Sequence, residues 1–515
     1  MTLCISRHTL RTAALLTLLL PGVLFLLTWV KAVIALPSAA AALWAFWLYA
    51  RKARSVPLGR DAFGSEEEEA FTLPLLPLLA VIACALLWTF FSGIGGCFYQ
   101  NEDHYGRNAI LHDLLNHGWP VYFEGTPYAL TYYLAYFIVP ALVGKAACAV
   151  LGPGALWGAA NAALFLQTVW FLVLAFALLL SLVRARGLFS VCLSLLVFVL
   201  FSGMDVLMGS FNAEAWNHQV EWWAGTYQYS SLTTDLFWVY NQAVPAFLAT
   251  VLLLSRPWDI GSYALIGLSA LPYSPMPFIG LMAYFVGLTL LRLALDVRAQ
   301  GLRGVRTLLS RCLTARNLLA CIGLAPCFCL YFMANSASSD SPLRLETYAY
   351  AYGGLLAFTR LLLFALVEFG AFSLVMGARY CRDPLFGLTQ AALLLIPWFR
   401  VGYSMDFSMR ASIPGLVLMA VYAIRFLLEG FFPGRDARRL PGSGRFAAAL
   451  LALLLLVGAG TPLLEFERGV YKVKTAGTIF LTADPFGTVL HEDANTYNFI
   501  CNDVSQSAFY RYLAR

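Results

Sequence analysis

The residues best suited to chemistry lie in three polar stretches that interrupt an otherwise apolar chain. The densest is Gln100-Asn101-Glu102-Asp103-His104-Tyr105-Gly106-Arg107-Asn108. Carboxylates such as Glu102 and Asp103 can take a proton from a hydroxyl or ligate a divalent cation. Neighbours on a regular helix cannot both face one small substrate, so one of the pair is expected to be catalytic and the other structural. His104 and Tyr105 supply ring and hydrogen-bonding groups for a substrate bound beside them. The plainer alternative is a polar loop followed by an anchoring helix. On either reading, the run from Asn108 to His117 is amphipathic, with Ile110, Leu111, Leu114 and Leu115 on one side. It is expected to lie in a membrane interface, with Trp119 and Tyr122 as belt residues.

The second stretch holds Ser202-Gly203-Met204-Asp205, then Glu214, Trp216, His218, Glu221, Trp222 and Trp223. Tryptophans beside carboxylates suit a sugar ring, whose C–H faces pack on indole while its hydroxyls bond to acids. They suit a membrane-surface loop equally well. Glu214 and Trp222 are the substrate-binding candidates, and Asp205, at the end of an apolar block, is the second candidate acid. Asp103 and Asp205 together form an optional metal pair, for Mg or Mn. The third stretch, 397–414, contains Arg400, Asp406 and Arg410. Arginine forks favour phosphate, although an Arg–Asp pair can also be purely structural. Lys145 is a further phosphate contact or a snorkelling lysine.

The elements that must position these residues are membrane helices. Of 515 residues, 60% are apolar and only 12% charged, about half the usual soluble share. The mean hydropathy is +0.72. Apolar blocks too long for soluble core helices, such as the unbroken 154–181, exclude a soluble enzyme, a disordered chain and a disulfide scaffold. The net charge of +6 is carried mostly by arginines in short patches between apolar blocks. Membrane topology explains these patches, and they give no sign of a nucleic-acid partner.

Apolar length and the positive-inside rule together predict an all-α polytopic protein with about 13 transmembrane helices. The N-terminus is expected in the cytoplasm and the C-terminus outside. Residues 1–71 read as a transmembrane hairpin and a cytoplasmic loop, 72–460 as the main membrane core, and 461–515 as a small exterior segment. Cleavage of the first block as a signal peptide is disfavoured, because a second block follows at once. Residues 129–150 are expected to lie along or dip into the outer leaflet. Alternation at 470–482 suggests a small β element. Five of the six histidines and most loop acids fall on the exterior side, so the working face is expected to be the outer one. The sequence has no GxxxxGK[ST] nucleotide loop. Cys97 and Cys501 are the cysteines placed outside, where a disulfide is permitted.

A span followed by FYQNEDHYGRNAILHDLLNHGWPVYFEG and the Tyr-rich LTYYLAYFIVPALVGKAA resembles the GT-C superfamily of polytopic glycosyltransferases. Its members include protein O-mannosyltransferases and the lipid A aminoarabinose transferase. Met405 to Pro414 also looks like bacterial members of that fold, and Gly203–Asp205 resembles the position of the second exterior acid. The span-and-loop plan matches over 72–460, and the residue-level match covers about 50 residues. A Lys-Pro-Pro frequent in the family is absent, with Gly125-Thr126-Pro127-Tyr128 in its place. The N-terminal hairpin is an addition.

The resemblance implies a GT-C-like core with juxtamembrane helices in the first exterior loop of a bacterial inner-membrane protein. It implies an inverting enzyme that takes a sugar from a polyprenyl-phosphate donor to a hydroxyl on a glycan, lipid or protein, at the periplasmic face. Asp103 or Glu102 would be the base. Arg400, Arg410 and Lys145 would hold the donor phosphate, and Asp205 would orient the acceptor or help hold a metal. The rival is a transporter or flippase of lipid-linked sugars or small solutes, which calls for ionisable groups near mid-membrane.

Overall fold

The computed structural model describes residues 2–52, 62–63, 70–209, 219–225, 227–336, 344–345, 354–401, 405–431, 442–476, 487–491 and 496–515. Glu214 and His218 lie outside them. The first half of the chain forms α1 (Arg7–Trp29), α2 (Ala32–Lys52), α3 (Leu75–Phe91), α4 (Glu102–Asn116), α5 (Ala135–Leu151), α6 (Leu156–Val183), α7 (Leu188–Val199) and the short α8 (Asp205–Gly209). Next come α9 (Leu232–Ser255), α10 (Tyr263–Ala270), α11 (Pro275–Gln300), α12 (Arg303–Cys312) and α13 (Ala315–Met333). A π-helical turn, Leu366–Gly370, joins α14 (Gly354–Ala365) to α15 (Ala371–Tyr380). The last helices are α16 (Pro384–Leu395), α17 (Asp406–Ala411), α18 (Ile413–Phe431), α19 (Gly442–Gly458), α20 (Gly460–Ala476) and α21 (Thr496–Phe499).

Among the described residues, nine helical segments are long and apolar enough to cross a membrane. Five more apolar helices are shorter: Leu75–Phe91, Ala135–Leu151, Leu188–Val199, Ile260–Tyr273 and Pro384–Trp398. Length is what separates this set from the expected 13 or so spans. At 1.5 Å per residue α7 rises only about 18 Å, against a hydrocarbon core of about 30 Å. The architecture is therefore all-α and multi-pass. Three two-stranded antiparallel pairs staple loops together: β1 (Thr2–Ser6) with β2 (Ala70–Pro74), β3 (Ala129–Leu130) with β6 (Ile500–Cys501), and β4 (Arg344–Leu345) with β5 (Phe399–Arg400).

Helices α9 and α18 are almost wholly buried, so they form the centre of the bundle. The N-terminal hairpin packs into this bundle, α1 against α5, α6 and α9, and α2 against α13. Residues 499–515 return to the far end of α1. There the Arg515 side chain donates to the carbonyls of Leu27 (2.7 Å) and Val30 (3.2 Å). The β1–β2 pair and this segment thus lie at opposite ends of α1, about 35 Å apart.

Three local expectations change. Helix α4 buries Arg107, Asn108 and Asp113 as well as Ile110, Leu111 and Leu114, so it is not half-exposed along an interface. Its second side is covered by the C-terminal segment. Asp113 there accepts from Val489 N and Thr488 Oγ1, both at 3.0 Å, and Gly106 lies against the Phe499 ring. The alternating 470–482 stretch is helical through Ala476, its last described residue. One turn earlier, Arg468 pairs with Glu465 at 2.8 Å, a spacing that supports a helix. Cys97 and Cys501 are both free thiols, and Cys501 is held in the β3–β6 ladder opposite Ala129.

Candidate functional site

The polar cluster is built on a break in α9. Val239 has non-helical dihedrals (φ −132°, ψ 36°), and Pro245, further along the helix, lacks a backbone donor. The Phe237 carbonyl just before the break accepts instead from Asn101 Nδ2 (2.9 Å) and His104 Nε2 (3.1 Å). The break thus docks the N-terminus of α4. Burial, followed by the nearby Arg107 charge, lowers the His104 pKa to about 3, so its ring is neutral. His104 is fully buried, whereas Tyr105 is exposed.

Glu102 and Asp103 occupy the first turn of α4, where the helix dipole favours acids. Glu102 points to solvent. Asp103, 42% exposed, pairs with the buried Arg107 at 3.1 Å. Arg107 Nε donates to Asn241 Oδ1 (3.0 Å), and the guanidinium lies 5.6 Å from the Tyr240 ring. A second pair of the same form comes from α17. Asp406, also 42% exposed, meets Arg410 at 3.3 Å, again four residues apart. Gly280 lets α11 approach α17 closely, since a Cβ there would sit 2.1 Å from the Ala411 carbonyl oxygen. Burial works against the Arg410 charge. The Asp406 carboxylate, Tyr132, Tyr133 and Asp103 outweigh it and hold its pKa above the ordinary value. Arg410 therefore links the two pairs electrostatically.

Between them runs a line of buried polar side chains. Gln242, next to Asn241, accepts from Ser274 Oγ at 2.7 Å. Ser274 caps α11 at Met276 N, and Met276 Sδ lies 3.8 Å from Arg410 Nη1. Buried polar atoms normally find partners. Here Arg107 Nη1, Asn241 Nδ2, Gln242 Nε2, Arg410 Nε and both Asp235 oxygens have none. The sequence pattern does not single out Asp235, Asn241, Gln242 or Ser274. The available signal was polarity inside an otherwise apolar span.

A second group of acids surrounds the turn that follows α7. Asp205 accepts from Thr461 Oγ1 (2.7 Å), its own helix turn and Ser202, with Oδ2 unpartnered. The α8 turn packs on the Val220–Trp222 turn. Glu221 there accepts from Ser230 Oγ, Thr234 Oγ1 (both 2.6 Å) and Ser231 N (2.9 Å). Glu368, on the π-helical turn, accepts from Trp223 Nε1 at 2.9 Å and lies against Gly203, where a Cβ would be 2.2 Å from its Oε2. Burial is the main cause that raises Asp205 to about 7. Burial and then the Asp205 charge raise Glu221 to about 8.

Of the remaining candidates, Lys145 stands apart from both groups, whereas Trp222 is on the turn that carries Glu221 and Arg400 is on β5, which packs on α17. Trp222 donates to Gln228 Oε1 (3.1 Å) and is half exposed. Lys145 donates to the His117 carbonyl (2.7 Å) and sits 4.6 Å from the Trp119 ring, ten residues along α5 from its start. Arg400 lies in β5 opposite Arg344. Asp103 and Asp205 are held by different partners, Arg107 and Thr461. Among the described residues no group of three or more His, Cys, Asp or Glu is placed to hold a metal ion.

Fold and cluster together define a multi-pass α-helical membrane protein with buried polar and acidic groups around a broken central helix. No family model, no curated protein and no solved structure matches the chain.

Proposed function

We propose that the protein is an inverting, GT-C-like glycosyltransferase that moves a sugar from a polyprenyl-phosphate donor to an acceptor hydroxyl at the exterior membrane face. The observation that carries this reading is the linked Asp103–Arg107 and Asp406–Arg410 pairs. A base and a phosphate-binding cation are the two groups such a transfer needs, on opposite sides of the anomeric carbon. Asp103 takes the proton from the acceptor hydroxyl, and Arg107 holds that carboxylate in place. The hydroxyl oxygen attacks the anomeric carbon, the bond from that carbon to the phosphate oxygen breaks, and the configuration inverts. Arg410, with Arg400 as a further contact, takes up the charge that grows on the departing polyprenyl phosphate. Asp205 orients the acceptor. In this reading the face carrying α4 and the C-terminal segment is periplasmic and the β1–β2 end cytoplasmic.

The test is incubation of purified protein with radiolabelled polyprenyl-phosphate sugars and a lipid and cell-wall glycan fraction. Label is expected to move to the acceptor. A transporter or flippase of lipid-linked sugars is the second reading, supported by Asp205, Glu221 and Glu368 buried together, the last of them near the middle of the Phe358–Tyr380 segment. Intact labelled donor crossing proteoliposome membranes, with none consumed, would favour it.

A further inference from the structure

Asp235 has no task in the reaction as described, yet its surroundings are unusual. It is fully buried in the first turn of α9, and neither carboxylate oxygen has a hydrogen-bond partner. The helix dipole offsets part of the cost of placing a charge there. It does not fill the four or so lone-pair sites of a carboxylate, and a buried acid without donors is destabilising. The hydroxyls nearest in sequence are engaged elsewhere. Thr234 Oγ1 donates to Glu221 (2.6 Å), and Ser231 Oγ lies 2.8 Å from Thr234 Oγ1.

Two charged groups act on Asp235: the acid Glu221 and then Arg410, the latter carried by α17, which packs directly on α9. Arg410 spends Nη2 on Asp406 and Nη1 beside Met276 Sδ, while Nε has no partner. Gln242, two helical turns beyond Asp235, spends its oxygen on Ser274 and has Nε2 without a partner. Buried acceptors at Asp235 and buried donors at Arg410 and Gln242 are thus set around the junction of α9, α11 and α17. The unpartnered Asp235 oxygens call for donors, which a phosphate does not supply. A polyol joined to a phosphate fits both ends, its hydroxyls donating to the carboxylate and its phosphate oxygens accepting from the guanidinium.

We infer that Asp235 binds the hydroxyls of the donor sugar next to the Arg410-held phosphate, and so sets which sugar the site accepts. The inference rests on the transferase reading and adds a specificity-determining residue to it. The test measures binding of polyprenyl-phosphate sugars, and of their single-deoxy analogues, to the full-length protein in detergent. Asp235→Asn is expected to weaken binding of the matched sugar about two- to tenfold, the usual effect of losing a hydrogen bond. Its melting temperature is expected to stay the same, because the Asp235 side chain makes no hydrogen bond that the variant would lose. For the analogue lacking the hydroxyl that Asp235 holds, wild type and variant are expected to bind alike.

Equal affinity of wild type and Asp235→Asn for the matched sugar overturns the inference. So does an identical gap for every deoxy analogue, or a lower melting temperature with unchanged affinity, which is the mark of a structural acid. Asp235→Ser, which removes both acceptor oxygens and leaves room for a water, gives the same readings if the asparagine variant does not fold. A wild type that binds no polyprenyl-phosphate sugar defeats the transferase reading itself, and the inference falls with it.

Discussion

Replacing Arg410 is the sharpest perturbation of the proposed phosphate site. In Arg410→Lys one ammonium must serve the place of a fork that meets Asp406 at 3.3 Å and keeps Nε for a ligand. Charge is conserved, so Asp406 and Asp103 keep a cation beside them and the fold is expected to hold. What is lost is forked recognition of a phosphate, on the order of 1.5–3 kcal/mol for hydrogen bonds to a charged group. That corresponds to a fall of roughly 10- to 150-fold in kcat/KM for transfer. Arg410→Ala also removes the charge that offsets developing phosphate charge. Its loss is expected to reach about 100- to 1,000-fold, the scale of deleting a donor at a reacting oxyanion. The assay is the initial rate of label transfer across donor concentrations, with thermal unfolding of each variant as the control for folding. Arg410→Lys within threefold of wild type, with an unchanged melting temperature, would refute the assignment of Arg410 to the phosphate.

Other outcomes follow from particular contacts. The folded forms of Asp205 and Glu221 hold protons up to about pH 7 and 8, whereas their unfolded forms release them near 3.8 and 4.5. Their contribution to stability is therefore full below pH 4, is lost as pH rises, and levels off near pH 8, with a slope of up to about 1.4 kcal/mol per pH unit per group. Melting temperature is expected to fall between pH 5 and 8, and Asp205→Asn or Glu221→Gln to flatten the slope; an unchanged slope in both contradicts the assignment. Gly280→Ala places a Cβ 2.1 Å from the Ala411 carbonyl oxygen and is expected to displace α17, raising the donor KM although Gly280 touches no substrate. A KM equal to wild type counts against that route. Asp113→Ala leaves Val489 N–H and Thr488 Oγ1 without their 3.0 Å acceptor, a cost of roughly 2–4 kcal/mol. Hydrogen exchange is expected to quicken at Val489 and in the 496–515 segment, and unaltered exchange there would show that Asp113 does not anchor it.

The membrane class was legible because apolar length and charge placement are local properties of the chain. The N-terminal hairpin, for one, stands where apolar length put it. The short helices α3, α5, α7 and α16 were harder, since the same composition serves a full span and a helix buried by its neighbours. The α4 reading failed for a tertiary reason: its polar side is covered by Thr488, Val489 and Phe499, nearly 400 positions away in the sequence. Asp103, Arg107 and Arg410 were visible as polar residues at span ends. Asp235, Asn241 and Gln242 were not, because their meaning depends on the break at Val239, which has no glycine or proline of its own to announce it. The pairing of Glu368 with Gly203 likewise needs two distant segments in contact before it can be seen.

The most direct measurement follows the fate of the donor in a single turnover. Purified wild type and Asp103→Asn would be mixed with each polyprenyl-phosphate sugar and acceptor, and free polyprenyl phosphate and the anomeric configuration of the product read together. The predicted result is stoichiometric release by wild type, a product inverted relative to the donor, and loss of release in a variant that still folds and binds donor. Absence of release from every donor, or equal release by Asp103→Asn, would contradict the proposed transfer with Asp103 as its base.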